Sequence, residues 1–342
     1  MNTGMSTEMN GSPLLRIEDL RIRFRTAHGP VLAVNGVSLS LHGDEVLAIV
    51  GESGSGKTLT GLSVLGLEPP GASVTGRVWF RDEQLRGASP RRLRDVRGAS
   101  IAMIFQEPMT ALNPSLTVGR QVAEVLRRHR GLSGKEARSR ALDLFDLVRM
   151  PSAERHLRSY PHQLSGGMRQ RVMIAMAVAC GPSVLIADEP TTALDPTIEA
   201  QILSLLRDLR ASLGMAVLLI THNLGVVRRM ADRVVVMYAG RKVEEASAKD
   251  LFECPGHPYT KGLLGSIPNV EVAAHTRTRR ARLNEIKGMV PSLSNLPKGC
   301  TYAPRCGLAS EECRASYPPL LQYRPGHWVA CWHAEQVLGG AA

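Results

Sequence analysis

The stretch from Val46 to Gly61, VLAIVGESGSGKTLTG, constrains the fold of this chain more than any other. Its first five residues form an apolar run rich in β-branched side chains, which is typical of a strand buried on both faces. The next eight, Gly51–Thr58, match G-x-x-x-x-G-K-[ST] at every fixed position. The glycines allow close approach of the backbone to a ligand, and the N–H groups at the following helix N-terminus form an anion cradle. The order of strand, loop and helix therefore predicts a phosphate site rather than a glycine-rich turn that binds nothing.

Two side chains of this loop indicate which phosphate ligand it holds. Lys57 can reach the β- and γ-phosphates of a nucleotide, and the hydroxyl of Thr58 can hold Mg²⁺. The residues expected to contact the nucleotide are Gly51, Glu52, Ser53, Gly54, Ser55, Gly56, Lys57 and Thr58.

Length and composition predict about two domains in a chain of 342 residues, one of them large enough for a full core. The hydrophobic fraction of 44% and charged fraction of 21% are typical of a globular protein, and no apolar run reaches the roughly 18 residues that span a bilayer. The polar segment 1–13 lacks the apolar core of a signal peptide. We expect this segment to be a disordered lead-in.

The net charge of +11 would suit a nucleic-acid partner or a site near anionic lipid. The arginines are scattered, however, as in the pairs Arg91 and Arg92, then Arg127 and Arg128. A distribution of this kind favours a solvated face.

Three further apolar runs are predicted as buried strands, and polar residues follow each one. Ile101–Phe105 is followed by Gln106, Val184–Ala187 by Asp188 and Glu189, and Val217–Ile220 by Thr221 and His222.

Ligands lie at the carboxyl ends of strands in open α/β sheets, so these polar residues are candidates for the nucleotide site. Asp188 is expected to face Mg²⁺, and Glu189 to accept a proton from a water aligned on the γ-phosphate. Gln106 could contact Mg²⁺ or water, and His222 the γ-phosphate. Taken alone, Gln106 is also compatible with a polar loop residue and His222 with a hydrogen-bonded structural histidine.

A second anion site is possible at Ser165, Gly166 and Gly167, where a helix is predicted to begin. An ordinary helix cap explains these three residues equally simply. A longer helical region is predicted over Thr117–Met150 from its apolar spacing. Phe24 could stack on a base or pack in the core.

Four of the six cysteines crowd the C-terminal region: Cys300, Cys306, Cys313 and Cys331. Their spacing, C-x₅-C-x₆-C-x₁₇-C, lacks the C-x₂-C arms common in structural zinc sites. A metal or cluster site fits better than a secreted disulfide scaffold, and His327 and His333 keep a mixed zinc site open. The prolines of this region are expected to interrupt helices and strands.

Taken together, the motifs GESGSGKT, LSGGMRQR, VLIADEP, ALD and TH resemble those of the ATP-binding subunits of ABC transporters. The segments MIFQEPMTALNPSLTVG, HPYTKGLL, VPSLSNLPKGC, YAPRC and GHWVAC resemble those of the oligopeptide/dipeptide importers. The resemblance covers about residues 14–333.

The resemblance implies an α/β fold of the P-loop NTPase class, with an ABC ATPase core, an N-terminal antiparallel β-subdomain and a helical insert. The expected boundaries are 14–250 for the ATP-binding domain, about 108–162 for the helical subdomain, and 251–342 for a small Cys-rich C-terminal extension.

The resemblance also implies a role for each motif residue in this chain. Gly51–Thr58 is the Walker A loop, Gln106 the Q-loop glutamine at the junction with a transmembrane partner, and Phe24 the adenine-stacking aromatic. Ser165–Gly167 belong to the signature that covers ATP on an opposite subunit, and Asp195 to the D-loop. Asp188 and Glu189 are the Walker B carboxylates, with Glu189 as catalytic base, and His222 is the switch histidine.

The implied cofactors are ATP, Mg²⁺ and a [4Fe-4S] cluster on the four C-terminal cysteines. The implied partners are a second ATPase subunit, expected to be a paralogue, two transmembrane permeases and, through them, an extracytoplasmic solute-binding protein. The implied function is ATP hydrolysis that energises uptake of di- or oligopeptides or a peptide-like solute, at the cytoplasmic face of the cell membrane. No nucleic-acid partner is expected.

Two other classes compete with this interpretation. A soluble ABC ATPase acting on DNA or the ribosome would explain the basic charge, but it predicts a long coiled-coil insert or two ATP domains. A redox-sensing nucleotide-binding regulator predicts a damaged catalytic carboxylate, whereas Glu189 is intact.

Overall fold

The structure is a computed structural model, and it describes residues 12–27, 29–107, 111–192, 194–266 and 286–339. Most of the predicted lead-in, residues 1–11, lies outside the described residues. So do residues 108–110 at the start of the predicted helical insert.

The strands in the described ranges form two sheets. They are β1 (Leu15–Thr26), β2 (Gly29–Leu41), β3 (Val46–Val50), β4 (Ala72–Phe80), β5 (Glu83–Gln84), β6 (Ile101–Ile104), β7 (Val184–Asp188), β8 (Ala216–Ile220), β9 (Arg233–Tyr238), β10 (Arg241–Ser247), β11 (Leu321–Arg324) and β12 (His327–Val329).

The described α-helices cover the sheets and build the insert. They are α1 (Lys57–Val64), α2 (Pro90–Val96), α3 (Val118–Arg130), α4 (Gly134–Leu147), α5 (Ala153–His156), α6 (Gly166–Val178), α7 (Pro196–Leu213), α8 (Leu224–Met230), α9 (Ala248–Glu253), α10 (Pro258–Gly265), α11 (Glu311–Ala315) and α12 (Ala334–Gly339).

The predicted N-terminal antiparallel β-structure is a sheet in the order β2-β1-β4-β5. Along β1 the side chains of Leu15, Ile17, Leu20 and Ile22 are buried, while most residues between them are not. This alternation turns one face of the sheet onto the main core, because successive side chains of a strand point to opposite faces. The buried face packs with Leu47 and Ile49 of β3.

The second sheet has the order β11-β12-β10-β9-β3-β8-β7-β6. The five neighbours β9, β3, β8, β7 and β6 pair in parallel. Their side chains are almost entirely buried, as the continuous apolar runs predicted, because helices and the smaller sheet cover both faces. The mostly parallel sheet therefore places the ends of β3, β8, β7 and β6 side by side.

The region predicted as helical over Thr117–Met150 is two helices, α3 and α4. The first ends at Gly131, whose φ of 66° is the left-handed conformation that glycine adopts easily at a helix C-terminus. Ser133 then caps α4 in a reciprocal capping box with Glu136. The two helices pack through Val122, Leu126 and their neighbours in the larger core cluster.

The C-terminal extension is joined to the main sheet, since β12 pairs with β10 and β11 with β12. The fully buried carboxylate of Glu244 accepts hydrogen bonds from the backbone of Gly256 (2.6 Å) and His257 (3.0 Å) and contacts His327 Nε2 at 2.7 Å. The prolines interrupt the regular structure here, as predicted: β11 and β12, of four and three residues, lie on either side of Pro325. These two short strands gain stability from the sheet pairing.

None of the helices in the described ranges combines the length and apolar character needed to cross a membrane.

Candidate functional site

Four strand ends bring the predicted site residues to one edge of the sheet. The Gly51–Thr58 loop follows β3, His222 follows β8, Glu189 follows β7 and Gln106 follows β6. They border a cleft of about 570 Å³. The cleft is lined by Val50, Gly51, Glu52, Ser53, Gln106, Glu189, Thr192, His222, Leu224 and Leu263.

The phosphate loop is held tightly against the end of β9. Gly51 has φ 151°, and a Cβ on it would lie 2.2 Å from the carbonyl oxygen of Met237, so glycine is required at this point. Farther along the loop, Gly240 donates its N–H to the carbonyl of Ser55 at 3.1 Å. The backing of the loop by Met237 and Gly240 was not predicted from the sequence.

The ammonium group of Lys57 lies across the loop. Its Nζ donates to the carbonyl oxygens of Gly51 at 2.8 Å and Glu52 at 3.0 Å. Burial lowers the pKa of Lys57, while the carboxylates of Glu189, Asp188 and Glu52 act in the opposite direction. The loop therefore presents a cation surrounded by backbone dipoles, which suits the phosphates of a nucleotide.

Thr58 and Asp188 form a pair suited to Mg²⁺. The Thr58 hydroxyl donates to Asp188 Oδ1 at 3.2 Å, and Asp188 is buried at the end of β7. The pKa of Asp188 is raised to about 6, mainly by burial. The charge of Glu189 also raises this pKa, whereas the hydrogen bond from Thr58 and the charge of Lys57 lower it. A buried carboxylate that is costly to ionise alone fits a site where a cation compensates its charge.

Glu189 is the centre of a polar network. Its Oε1 contacts His222 Nδ1 at 2.9 Å, and its Oε2 accepts hydrogen bonds from Thr192 Oγ1 at 2.8 Å and Gln106 Nε2 at 3.2 Å. Burial acts to raise the pKa of Glu189, but the bonds from His222 and Thr192 and the charge of Lys57 hold it below its ordinary value. The carboxylate is therefore ionised at neutral pH and fixed in orientation.

The backbone of Glu189 has φ 45°, which is strained for a non-glycine residue. Its N–H donates to the carbonyl of Ile220 at 2.8 Å, which helps to hold this conformation. The turn directs Glu189 toward the cleft, whereas Asp188 remains in the strand beside Thr58. Thr192 was not predicted as a site residue, but its position three residues after Glu189 is the local signal.

The residues predicted at the second anion site lie at the exposed N-terminus of α6. Ser165 caps this helix by accepting from the N–H of Met168 at 3.4 Å, and Ser165 and Gly166 are exposed. Asp195 caps α7 by accepting from Thr197 (3.1 Å) and Ile198 (2.9 Å). Neither Ser165 nor Asp195 is among the residues that line the Glu189 cleft within the described ranges.

Phe24 is half-buried near the end of β1 and packs against the core cluster of the N-terminal sheet. It pairs with Val31 and Ala72 in the sheet and is not among the residues lining the Glu189 cleft. The predicted stacking of Phe24 on adenine stays a prediction.

The four C-terminal cysteines are free thiols in one region. Burial raises the pKa of Cys331 to about 12, with smaller contributions from Cys300, Cys306 and Cys313, so the four thiols interact electrostatically. In the described ranges, however, no group of three or more potential ligand side chains is arranged to hold a metal ion. The predicted iron–sulfur cluster is not supported by this arrangement. His327, a candidate zinc ligand, is engaged by Glu244.

Family models match two parts of the chain. Residues 34–192 match the ABC transporter family, and residues 243–313 match the oligopeptide/dipeptide transporter C-terminal region. The first match covers the Gly51–Thr58 loop, Gln106, Asp188 and Glu189 but not His222, and the second covers most of the C-terminal extension.

Relatives extend the similarity over nearly the full length. A dipeptide transport ATP-binding protein of Bacillus subtilis is 49% identical over 96% of this chain and 98% of its own length. An oligopeptide transport ATP-binding protein of the same organism is 48% identical over 95% and 98%. A solved dimeric ATP-binding cassette, MJ0796 bound to ADP and Pi, is 30% identical, with a TM-score of 0.61 over 68% of this chain and 98% of that one. This chain therefore belongs to the ATP-binding proteins of ABC transporters, in the oligopeptide/dipeptide transporter group.

Proposed function

We propose that this chain is the ATPase subunit of an ABC importer and that its hydrolysis of ATP energises the uptake of peptides. The observation that carries this proposal is the network on Glu189, an ionised and oriented carboxylate beside a phosphate loop. The relatives whose names specify dipeptide and oligopeptide transport support the peptide class of solute.

Nucleotide binding is assigned to the Gly51–Thr58 loop. Lys57 exchanges its bonds to the Gly51 and Glu52 carbonyls for phosphate oxygens, which are stronger partners for an ammonium group. Thr58 and Asp188 would hold Mg²⁺, which would supply positive charge to the phosphates. Phe24 is proposed to contact the adenine.

Hydrolysis is assigned to Glu189 as general base for the attacking water. His222 and Thr192 hold its carboxylate oxygens on two sides and keep it deprotonated, so the proton of the water has one defined acceptor. Gln106 donates a hydrogen bond to the same carboxylate. Because it follows an edge strand of the sheet, we assign it to the junction with a partner.

The exposed Ser165–Gly167 segment is proposed to cover ATP on a second ATPase subunit. Its exposed helix N-terminus suits a phosphate, yet it does not line the cleft that contains Glu189. Asp195 caps the neighbouring α7 and is assigned to the same subunit interface. The solved dimer with ADP and phosphate supports a two-subunit arrangement for a related cassette. We expect the second subunit to be a paralogue.

The permease is proposed to dock beside Gln106, in an apolar groove. The groove has a volume of about 280 Å³ and lies between β6, α3 and α6. Phe105, which precedes Gln106, lines it and is 41% exposed, and the half-buried Met103 and Met176 supply adaptable surface. An apolar helix of a transmembrane subunit suits such a surface. We propose that the chain acts at the cytoplasmic face of the membrane, with a solute-binding protein on the other side.

The test is reconstitution of the full transporter in vesicles, with ATPase activity and uptake of labelled peptides measured together. We expect peptide-dependent ATP hydrolysis and uptake, both abolished by Glu189→Gln and unaffected by Glu253→Gln, which changes an exposed carboxylate outside the cleft. ATP hydrolysis without uptake of any peptide would refute the peptide class and leave the ATPase assignment intact.

The permease contact has a separate test. Phe105→Asp should reduce co-purification of the permeases without changing nucleotide affinity, whereas Leu147→Asp, at an exposed site outside the groove, should not. Equal recovery of the permeases with both variants would contradict docking at this groove.

The iron–sulfur cluster is proposed from the sequence resemblance of the four-cysteine region alone, in a structural or assembly role. Backbone N–H groups of Leu308 and His333 point at the sulfurs of Cys306 and Cys331, at 3.4 and 3.3 Å, and these contacts oppose the effect of burial, which raises the pKa of both thiols. Anaerobic purification with iron, sulfide and zinc analysis tests it. About four irons per chain, lost in Cys306→Ser, would support a [4Fe-4S] cluster, whereas one zinc without iron would contradict it.

A further inference from the structure

The C-terminal extension reaches the phosphate loop, although the two are more than two hundred residues apart in sequence. Arg305 Nη1 donates to Glu52 Oε2 at 2.8 Å, and the hydroxyl of Tyr259 accepts from the backbone N–H of Glu52 at 2.8 Å. Leu263, on the same helix as Tyr259, lines the cleft that contains Glu189. The extension therefore holds one loop residue by both its side chain and its backbone.

The two anchoring groups are themselves fixed in place. The side chain of Arg305 is only 6% exposed, and it also contacts the hydroxyl of Tyr238 (3.3 Å) and the carbonyl of Lys287 (3.1 Å). The ring of Tyr259 is fully buried and packs against Tyr238 and Tyr302 at centroid distances of 4.6 and 5.4 Å. Little freedom remains for either group, so each can determine where Glu52 lies.

Glu52 lies at a position where its charge affects the nucleotide. Its carbonyl oxygen is one of the two acceptors of Lys57, and its carboxylate acts on the pKa of that lysine. A free carboxylate at this point would repel the phosphates of ATP, whereas the ion pair with Arg305 compensates its charge.

We propose that Arg305 and Tyr259 are positioning residues for ATP, through which the C-terminal extension holds the phosphate loop in its binding shape. This proposal rests on the proposed ATP site. Arg305 acts by compensating and anchoring the Glu52 side chain, and Tyr259 by anchoring the Glu52 backbone. The extension is thereby a direct structural determinant of nucleotide affinity and not only an appendage of the fold.

The experiment is titration of the full-length chain with a non-hydrolysable ATP analogue and Mg²⁺, alongside thermal unfolding of each variant. Arg305→Ala should weaken affinity about tenfold, the scale of a lost hydrogen bond to a charged group. Tyr259→Phe keeps the ring and should weaken it about two- to tenfold. Tyr302→Phe, the matched control, should bind as the wild type does, because this buried tyrosine makes no bond to Glu52 in the described ranges.

A rescue experiment separates positioning from general stability. Glu52→Gln in the Arg305→Ala background should restore most of the lost affinity, because the uncompensated charge is removed, while the unfolding temperature stays low. Wild-type affinity in folded Tyr259→Phe and Arg305→Ala, or absence of rescue by Glu52→Gln, would overturn the proposal. Absence of binding by the wild type would instead refute the proposed ATP site.

Discussion

Substitution of Glu189 by Gln removes a base while leaving its shape in place. The amide oxygen can accept from Thr192 and Gln106, as Glu189 Oε2 does at 2.8 and 3.2 Å, and the amide nitrogen can face His222 Nδ1, now 2.9 Å from Oε1. The hydrogen bonds that hold the side chain are therefore conserved for a neutral imidazole. Folding stability should change by no more than about 1 kcal/mol, the net contribution of one hydrogen bond.

We expect Glu189→Gln to impair only the transfer of a proton from the attacking water. A positioned general base contributes about 10²- to 10⁴-fold, so the turnover number should fall by at least ~10², equivalent to about 2.7 kcal/mol of barrier. The nucleotide affinity should be unchanged, because the loop residues that bind phosphate are untouched, and an ATP-bound dimer should accumulate.

The assay is phosphate release by the assembled transporter, paired with nucleotide titration and size-exclusion chromatography of the same preparation. Glu253→Gln serves as the matched loss of one carboxylate, since it is exposed and outside the cleft. Turnover by Glu189→Gln within a few-fold of the wild type would show that another group accepts the proton. Equal loss of affinity and turnover would show that Glu189 contributes to binding instead.

Three further predictions follow from the same geometry. Lys57→Ala should weaken ATP binding itself, measured by calorimetry, because this buried ammonium supplies the charge of the loop; unchanged affinity would remove it from the site. The isolated monomer should hydrolyse ATP poorly. Ser165→Arg should block turnover at the partner subunit's site, so its effect should appear only when that site can hydrolyse ATP. Full activity in a strictly monomeric sample would contradict the shared site. Burial lowers the pKa of His257 to about 4, despite the opposing charge of Glu244, so stability present above pH 6.5 should be lost as pH falls through 4, by up to about 3 kcal/mol. Chemical unfolding between pH 7 and 4 tests this, and a His257→Asn variant with the same acid dependence would refute it.

The grouping of polar side chains at one edge of the sheet was predictable from the sequence because each of them follows directly after a buried strand. Gln106, Glu189 and His222 were expected near the phosphate loop, and the structure joins Gln106 and His222 to Glu189 directly. Parallel strands end at the same edge of a sheet, so residues that follow different strands meet there although they are far apart in sequence. The strand order, which places β8 between β3 and β7, could not be obtained from the pattern.

The role of the C-terminal extension could not be predicted in the same way. Tyr259 and Arg305 are more than two hundred residues from Glu52 in sequence. A single arginine or tyrosine forms no repeating sequence pattern from which its contacts could be predicted. The contacts of Arg305 and Tyr259 with Glu52 depend on how β12 joins β10 and on where α10 packs.

The physical link between the extension and the loop also changes how the cysteines are interpreted. Cys306 follows Arg305 directly in sequence, and Cys300 precedes Tyr302, whose ring packs on Tyr259 and Tyr238. Any group that orders the thiols would also order the backbone that carries Arg305. Arg305 contacts Glu52, whose carbonyl oxygen accepts from the Lys57 ammonium. A change in position at the cysteines can therefore reach the phosphate loop through the neighbouring backbone and these two contacts.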